Sequence, residues 1–349
     1  MLDILGRSQA ERLHSPGVTI RLVQLSHPTR GRCVALVEEP NLRLLDGAAS
    51  VSELAFRAVS RGRAGISNEL QPSGELLPYD AIYAGQSDWQ LLTPFDHDVP
   101  ERCFVTGTGL THKASAENRQ SMHGDPAAVT DSMKMYRIGV EGGRPPAGCI
   151  GSMPEWFYKG TGRIVRAHGQ PLDVPSHGDD GGDEAEIAGV YIVAPDGTPH
   201  RVGLVQGNEF SDHVLESKNY LYLAQSKLRS CSIGPEIVIG GDMTSEISGR
   251  ASIERSGQTI WSGPLASGEP WMCHTLANLE HHHFKHAEHR QAGDAHVHFF
   301  GADLFSFKDR LRLEDRDVMV VSFDGFGRPL RNPIRIDRTP PRHVGVNVL

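Results

Sequence analysis

The stretch that most constrains this chain is Gly181-Gly182-Asp183-Glu184-Ala185-Glu186-Ile187-Ala188-Gly189-Val190-Tyr191-Ile192-Val193. Glycines lead into a β-branched and aromatic run that Pro195-Asp196-Gly197 closes, which predicts a β-strand. Successive strand side chains face opposite ways, so Glu184, Glu186, Ala188 and Val190 share one face and Ala185, Ile187 and Gly189 the other. Two carboxylates therefore project together from an otherwise apolar strand. At a sheet edge such a face is simply solvated. Held close and away from water, the pair repels and loses hydration, and a hard divalent cation with oxygen ligands is the simplest remedy.

The rest of the chain is that of an ordinary globular protein, with 349 residues, 38% hydrophobic content and a net charge of -8. That length suits one large domain and a smaller one. The acidic balance excludes a nucleic-acid or anionic-membrane partner, since both demand a basic footprint. Cys33, Cys103, Cys149, Cys231 and Cys273 are odd in number and form no Cys-x-x-Cys pair, as expected of reduced thiols in a cytosol. Charges interrupt the first residues where a secretory segment needs an apolar run, and no eighteen apolar residues follow one another. A cytoplasmic protein is the expectation. Its 38 glycines and 22 prolines fit many short strands joined by turns.

Along the chain, residues 1–17 read as an extension. Strands are predicted over 18–25 and 33–37, then 42–45 leads into a helix over 51–61 with Ser50 as its N-cap. A polar connection from Gly62 to about Pro100 follows, which places a boundary there: 1–100 as a small N-terminal domain and 101–349 as the main domain. Residues 105–119 pass from a strand through a Gly-rich turn into a polar helix that continues toward Asp125 with little to bury, the pattern of a mobile lid. Gly107-x-Gly109 alone is weak evidence for phosphate binding, because the downstream glycine of a dinucleotide fingerprint is missing. Val202–Val205 predicts a strand that ends near Glu209, a third carboxylate beside the first pair. A helix starts at His213, and further strands are predicted over 249–253, 259–261, 297–300 and 318–323. Between these, 276–290 looks helical and carries His281, His282, His283, His286 and His289. Adjacent histidines splay about 100° apart on a helix, and neither His-Glu-x-x-His nor a partnering cysteine is present, so a polar or interface face is predicted rather than zinc.

Taken in order, Gly107-x-Gly109, Pro154-x-x-Phe157-x-Lys159-Gly160, Asp183-Glu184-Ala185-Glu186-Ile187-Ala188, Gly207-Asn208-Glu209-x-Ser211-x-His213, Lys227 and Gly234-Pro235 resemble the fumarylacetoacetate hydrolase superfamily. The resemblance extends over about residues 100–335, and Gly327-Arg328-Pro329-Leu330-Arg331-Asn332 looks like that family's closing turn. Within it the chain is most similar to the sugar-acid branch, through Thr106-Gly107-Thr108-Gly109-Leu110-Thr111-His112 and Ala277-Asn278-Leu279-Glu280-His281-His282-His283-Phe284. The resemblance implies an α+β, mostly β protein, with a mixed β-roll catalytic domain and a homodimeric or higher assembly. It implies Mg²⁺ or Mn²⁺ held by Glu184, Glu186 and Glu209, the last standing where the family usually has Asp. It puts Lys227 near the metal, facing substrate oxygens, and Thr108, Lys159, Gly234 and Ser306 on the substrate. The family's water-activating lid histidine falls on Ser115, with His112 and His123 as neighbouring imidazoles.

The chemistry so implied is chelation of a 2-oxo acid, which acidifies C3 and stabilises an enolate. A hydroxyl on C4 then leaves as water, with Glu117 or His123 moving protons. The expected activity is dehydration of a 2-keto-3-deoxy sugar acid, a pentonate, to 2,5-dioxopentanoate. The alternatives are a hydrolase that splits a 2,4-diketo acid, and a sugar-acid binding protein without turnover. Glu184, Glu186 and Lys227, all in place, argue against the last.

Overall fold

A computed structural model of the protein describes residues 19–63, 65–122 and 130–349. The fold is mixed α/β and rich in strand, built on one thirteen-stranded and one five-stranded sheet. In the large sheet Ala185–Val193 pairs antiparallel with Pro199–Asn208 on one side and Ala295–Phe299 on the other. Ala295–Phe299 runs parallel to Cys103–Gly109, which in turn pairs with Glu155–Thr161. The Glu-x-Glu strand is thus central, and all nine of its residues are buried. A solvated edge is excluded.

The predicted alternation holds. Ala188, Val190 and Ile192 pack into one apolar core, while Ala185 and Ile187 pack into another across the sheet. Strong β-branched content on both faces is what a doubly covered strand requires.

The segment before Pro100, expected to stand as a unit of its own, is hydrogen-bonded into the same sheet: Arg21 and Leu22 register with Val238 and Ile237. Leu22, Val34 and Leu36 share a core with Val190, Val205 and Val297. The helix Val51–Ser60 forms as predicted, with Ser50 accepting from the Glu53 N–H at 3.1 Å. The connection that followed hides a strand, Pro72–Pro78, and a short helix, Tyr79–Tyr83. That strand is mostly exposed, so its sequence shows no clean alternation.

The lid segment forms the helix Lys113–Met122, and a second helix, Asp131–Gly142, is capped by Thr130. The second helix has no counterpart in the sequence reading. It packs closely on the loop around His274, where a Cβ on Gly139 would lie 2.7 Å from Cys273 Sγ. Helix Leu276–Phe284 starts at a Thr275 cap. A polar face is what its sequence predicts, yet His282 and His283 are buried. The His283 ring stacks on His298, 4.3 Å between centroids, and its Nε2 lies 3.1 Å from His296 Nδ1. These imidazoles fill core space beneath the sheet rather than meeting water.

The five-stranded sheet has the order Gln258–Ser267, Ile247–Arg255, Val318–Phe323, Leu330–Ile336, Leu172–Val174. Asp337 N–H donates to Val174 O at 3.0 Å, and beyond it residues 338–349 run out with every residue exposed. All five cysteines are free. Among the described residues no helix is long and apolar enough to cross a membrane.

Candidate metal centre

Glu184 and Glu186 stand at the start of the central strand, and Glu209 follows the last residue of its partner. The register Ala185↔Asn208 and Glu186↔Gly207 sets them side by side, and the Glu209 N–H donates to Glu184 O at 2.8 Å. Gly207 lets Phe299 and the Ser232 backbone close on this end of the hairpin, since a Cβ there would sit 2.7 Å from both Phe299 Cε1 and Ser232 O. One carboxylate oxygen from each of the three buried glutamates lies within 4.8 Å of the others. Among the described residues this is the one cluster of His, Cys, Asp or Glu with such spacing, so the histidines of the 276–284 helix do not form a second.

Two ammonium groups enter the cluster. Lys227 Nζ donates to Glu184 Oε1 and Glu209 Oε2, each at 2.6 Å, and to Ser211 Oγ at 2.9 Å. It also lies 4.8 Å from the centre of the Phe157 ring. Phe157 reaches that place because position 107 is glycine, where a Cβ would fall 2.5 Å from the ring. Lys159 donates to the Glu209 carboxylate and to the carbonyls of Glu209, Phe210 and Lys227 at 3.0–3.1 Å. His213 places Nε2 2.9 Å from Glu184 Oε1, with its ring against Phe305 and Phe307. Glu186 accepts from the Gly301 N–H at 2.7 Å and has no cation of its own in this set.

The electrostatics follow that division. Burial alone would push the Glu184 carboxyl up, but the Lys227 charge and the His213 bond outweigh it and hold it well below the usual carboxylate range. Burial, then the charges of Glu209 and Glu184, push Glu186 well above that range. Burial and the Glu184 charge push Glu209 up to about 7, against the pull of Lys159 and Lys227. Three carboxylates thus face two lysines, with Glu186 the least compensated. An all-carboxylate oxygen set with negative charge left over fits a hard divalent cation.

The remaining candidates are placed as follows. Thr108 Oγ1 donates to Phe299 O at 3.2 Å, and Ser306 donates both N–H and hydroxyl to Asp183. Gly234 donates its N–H to Gln206 O at 2.9 Å and adopts φ +112°, with Pro94 pressed against it. The polar atoms of Thr108, Lys159 and Ser306 are therefore engaged with protein. Ser115 is buried on the lid helix, whereas the Glu117 side chain is about half exposed, 3.3 Å from Lys113. His123 lies outside the described residues. His112 is buried with Nε2 unpartnered, and burial pulls its imidazole down to about 4. Sequence reasoning gave no role to His213, Ser211 or Asp183, although all three lie inside the motifs. It had no means of finding the Gly301 N–H, a backbone donor.

No family model matches the chain. A curated relative, the probable 2-keto-3-deoxyxylonate dehydratase of Haloferax volcanii, is 32% identical over 235 residues, covering 66% of this chain and 69% of the relative. Among solved structures, a 2-keto-3-deoxyarabinonate dehydratase superposes with a TM-score of 0.68 at 18% identity, over 91% of this chain and all of that one. The same enzyme complexed with magnesium and 2,5-dioxopentanoate gives 0.67 at 18% identity, over 91% of this chain and 100% of that one. A 2-hydroxyhepta-2,4-diene-1,7-dioate isomerase from Mycobacterium marinum gives 0.57 at 16% identity, over 92% and 100%. The chain belongs to the fumarylacetoacetate hydrolase superfamily, in its 2-keto-3-deoxypentonate dehydratase branch.

Proposed function

We propose that this protein is a hydro-lyase that converts a 2-keto-3-deoxypentonate to 2,5-dioxopentanoate and water. The observation that carries this is the buried set of Glu184, Glu186 and Glu209, braced by Lys227 and Lys159, in a chain of the dehydratase branch. Mg²⁺ or Mn²⁺ held by the three glutamates supplies the Lewis acidity that draws electron density from the 2-keto group and makes C3–H acidic.

The protein's own groups do the rest. Lys227, fixed at 2.6 Å from Glu184 and Glu209, stabilises negative charge as it develops on substrate oxygens. Lys159 holds the Glu209 carboxylate in one orientation, and His213 does the same for Glu184. Glu117, on the lid helix, takes the C3 proton and returns one to the departing C4 hydroxyl, which requires the helix to swing its exposed carboxylate toward the site. The 3-ene so formed then loses a C5 proton and gains one at C3, and the resulting C4–C5 enol ketonises to the 5-aldehyde. Thr108, Gly234 and Ser306 shape the substrate's surroundings through the strands and loop they anchor. The functional unit is a homo-oligomer.

The test incubates the protein with Mg²⁺ and either 2-keto-3-deoxyarabinonate or 2-keto-3-deoxyxylonate, with product identified by mass and NMR. A product 18 mass units lighter with all five carbons retained is expected. Release of pyruvate from a 2,4-diketo acid faster than any dehydration would replace this reading with a carbon-carbon hydrolase. Substrate bound without turnover would leave a binding protein.

A further inference from the structure

A cavity of about 770 Å³ opens beside Leu172–Val174, the edge strand of the five-stranded sheet, and its size falls within the roughly 300–1,000 Å³ of small-molecule sites. It adjoins the metal centre without being part of it. Phe307 lines the cavity and packs edge-on against His213, 5.3 Å between ring centres, while Gly181 and Val214 continue that side. Among the described residues that line it, none is Glu184, Glu186, Glu209, Lys159 or Lys227. Val174, Leu311, Leu313, Ile334 and Ile336 form an apolar wall, and Leu311, Leu313 and Ile336 are only partly buried against the small core around Phe210 and Met319. Apolar surface is therefore left open to whatever enters.

Charges of both signs line the same cavity, but only one sign is uncommitted. Asp179 accepts from Lys218 Nζ at 2.6 Å, and Asp337 Oδ1 accepts from the Thr339 N–H at 2.9 Å and its hydroxyl at 2.7 Å. Asp180 lies in the fields of His213 and Arg229, both of which favour its ionised form. Lys308, Arg310 and Arg312, by contrast, are exposed, and none of them forms an ion pair among the described residues. Arg310 also stands at φ +57°, a left-handed conformation that an arginine adopts only at a cost and that recurs where a loop clamps a ligand.

An apolar wall facing three unpaired cations calls for a ligand that is apolar at one end and anionic at the other. Three cations around one head group favour a phosphate, with more acceptor oxygens and up to two charges, over a singly charged carboxylate. Arginine adds the planar fork that grips phosphate oxygens in pairs. We propose that this cavity is a second ligand site, which binds a phosphate monoester with its apolar body against Val174, Leu313 and Ile336 and its phosphate among Lys308, Arg310 and Arg312.

The experiment titrates the full chain in a calorimeter with octyl phosphate, and separately with octanol, inorganic phosphate and octanoate. Octyl phosphate is expected to saturate one site per chain, and the other three to bind at least about tenfold more weakly. Lys308→Glu and Arg312→Glu should each weaken octyl phosphate by a similar factor, with melting followed by circular dichroism unchanged because both side chains are exposed and unpaired. Glu186→Gln should bind octyl phosphate as tightly as the parent, which separates this cavity from the metal centre. The proposal is overturned by the absence of saturable binding, by octanol or octanoate binding as tightly, by charge reversals without effect, or by loss of binding in Glu186→Gln.

Discussion

Lys159 sets its ammonium against the Glu209 carboxylate with both side chains wholly shielded from solvent. Three backbone carbonyls accept from the same nitrogen, so the lysine has no donor to spare. In Lys159→Met the buried Glu209 carboxylate keeps Lys227 but loses the second of its two cations, and it still faces Glu184. Breaking a buried pair from one side costs about 3–5 kcal/mol. We expect the melting temperature to fall by on the order of 10 °C. A calorimetric shift under about 2 °C would mean that Glu209 keeps its proton instead.

Glu186 gives the opposite result. Its carboxyl is held well above the usual range by burial and by two neighbouring carboxylates, so at pH 8 its ionised form opposes folding. Glu186→Gln removes that charge and keeps an acceptor for Gly301 N–H. Without added metal the variant should melt at or above the parent temperature, while the rise produced by Mn²⁺ disappears. A variant that melts lower yet keeps its Mn²⁺ response would show that Glu186 is not a ligand.

Lys227 should behave in yet another way. Its ammonium already spans Glu184 and Glu209, the groups a cation must also engage. In Lys227→Met turnover falls roughly 10²-fold or more, as for other donors aimed at developing charge. At the same time the cluster gains net negative charge, so the stabilisation by saturating Mn²⁺ grows rather than shrinks. Thermal melts with and without the metal separate these effects. An unchanged kcat would make the lysine purely structural.

Acid sensitivity should come from the histidines under the sheet. Burial pulls His296 and His298 down to about 3 and holds His283 well below its ordinary value. Above pH 6.5 these rings are neutral whether the chain is folded or not. Below it the unfolded chain takes up protons that the folded one refuses, so stability declines as pH falls from about 6.5 toward 3. Each ring contributes a slope of about 1.4 kcal/mol per pH unit in that window. Urea midpoints measured from pH 8 to pH 5 should drop, and replacing His298 with Gln should flatten the curve. A midpoint independent of pH would show that the rings charge while folded.

The carboxylate trio was legible because two strand faces and one strand end suffice to place it: Glu184 and Glu186 by alternation, Glu209 by adjacency. Lys227 came from the family resemblance, not from any local pattern. What stayed hidden depends on contacts between residues far apart in the chain. Lys159 looks like a substrate lysine until Phe210 O and Lys227 O accept its hydrogen bonds, and Ser306 until Asp183 does. The histidine run misleads for the same reason. A helix pattern shows which face a side chain points to, but not that His296 and His298, on a strand, will rise to meet it. The hairpin Ile247–Arg255 with Gln258–Ser267 extends further than its short apolar runs predict, because exposed Arg250 and Thr259 continue the pairing.

All three glutamates occupy the open end of a single hairpin, whereas Lys159 and Lys227 come from outside it. Hairpins close within microseconds, long before strands a hundred residues apart find each other. For that interval the nascent hairpin gathers three carboxylates and no countercharge. A dissolved divalent cation is then the first partner within reach, so its presence during refolding should speed the assembly of the very element that the lysines later secure.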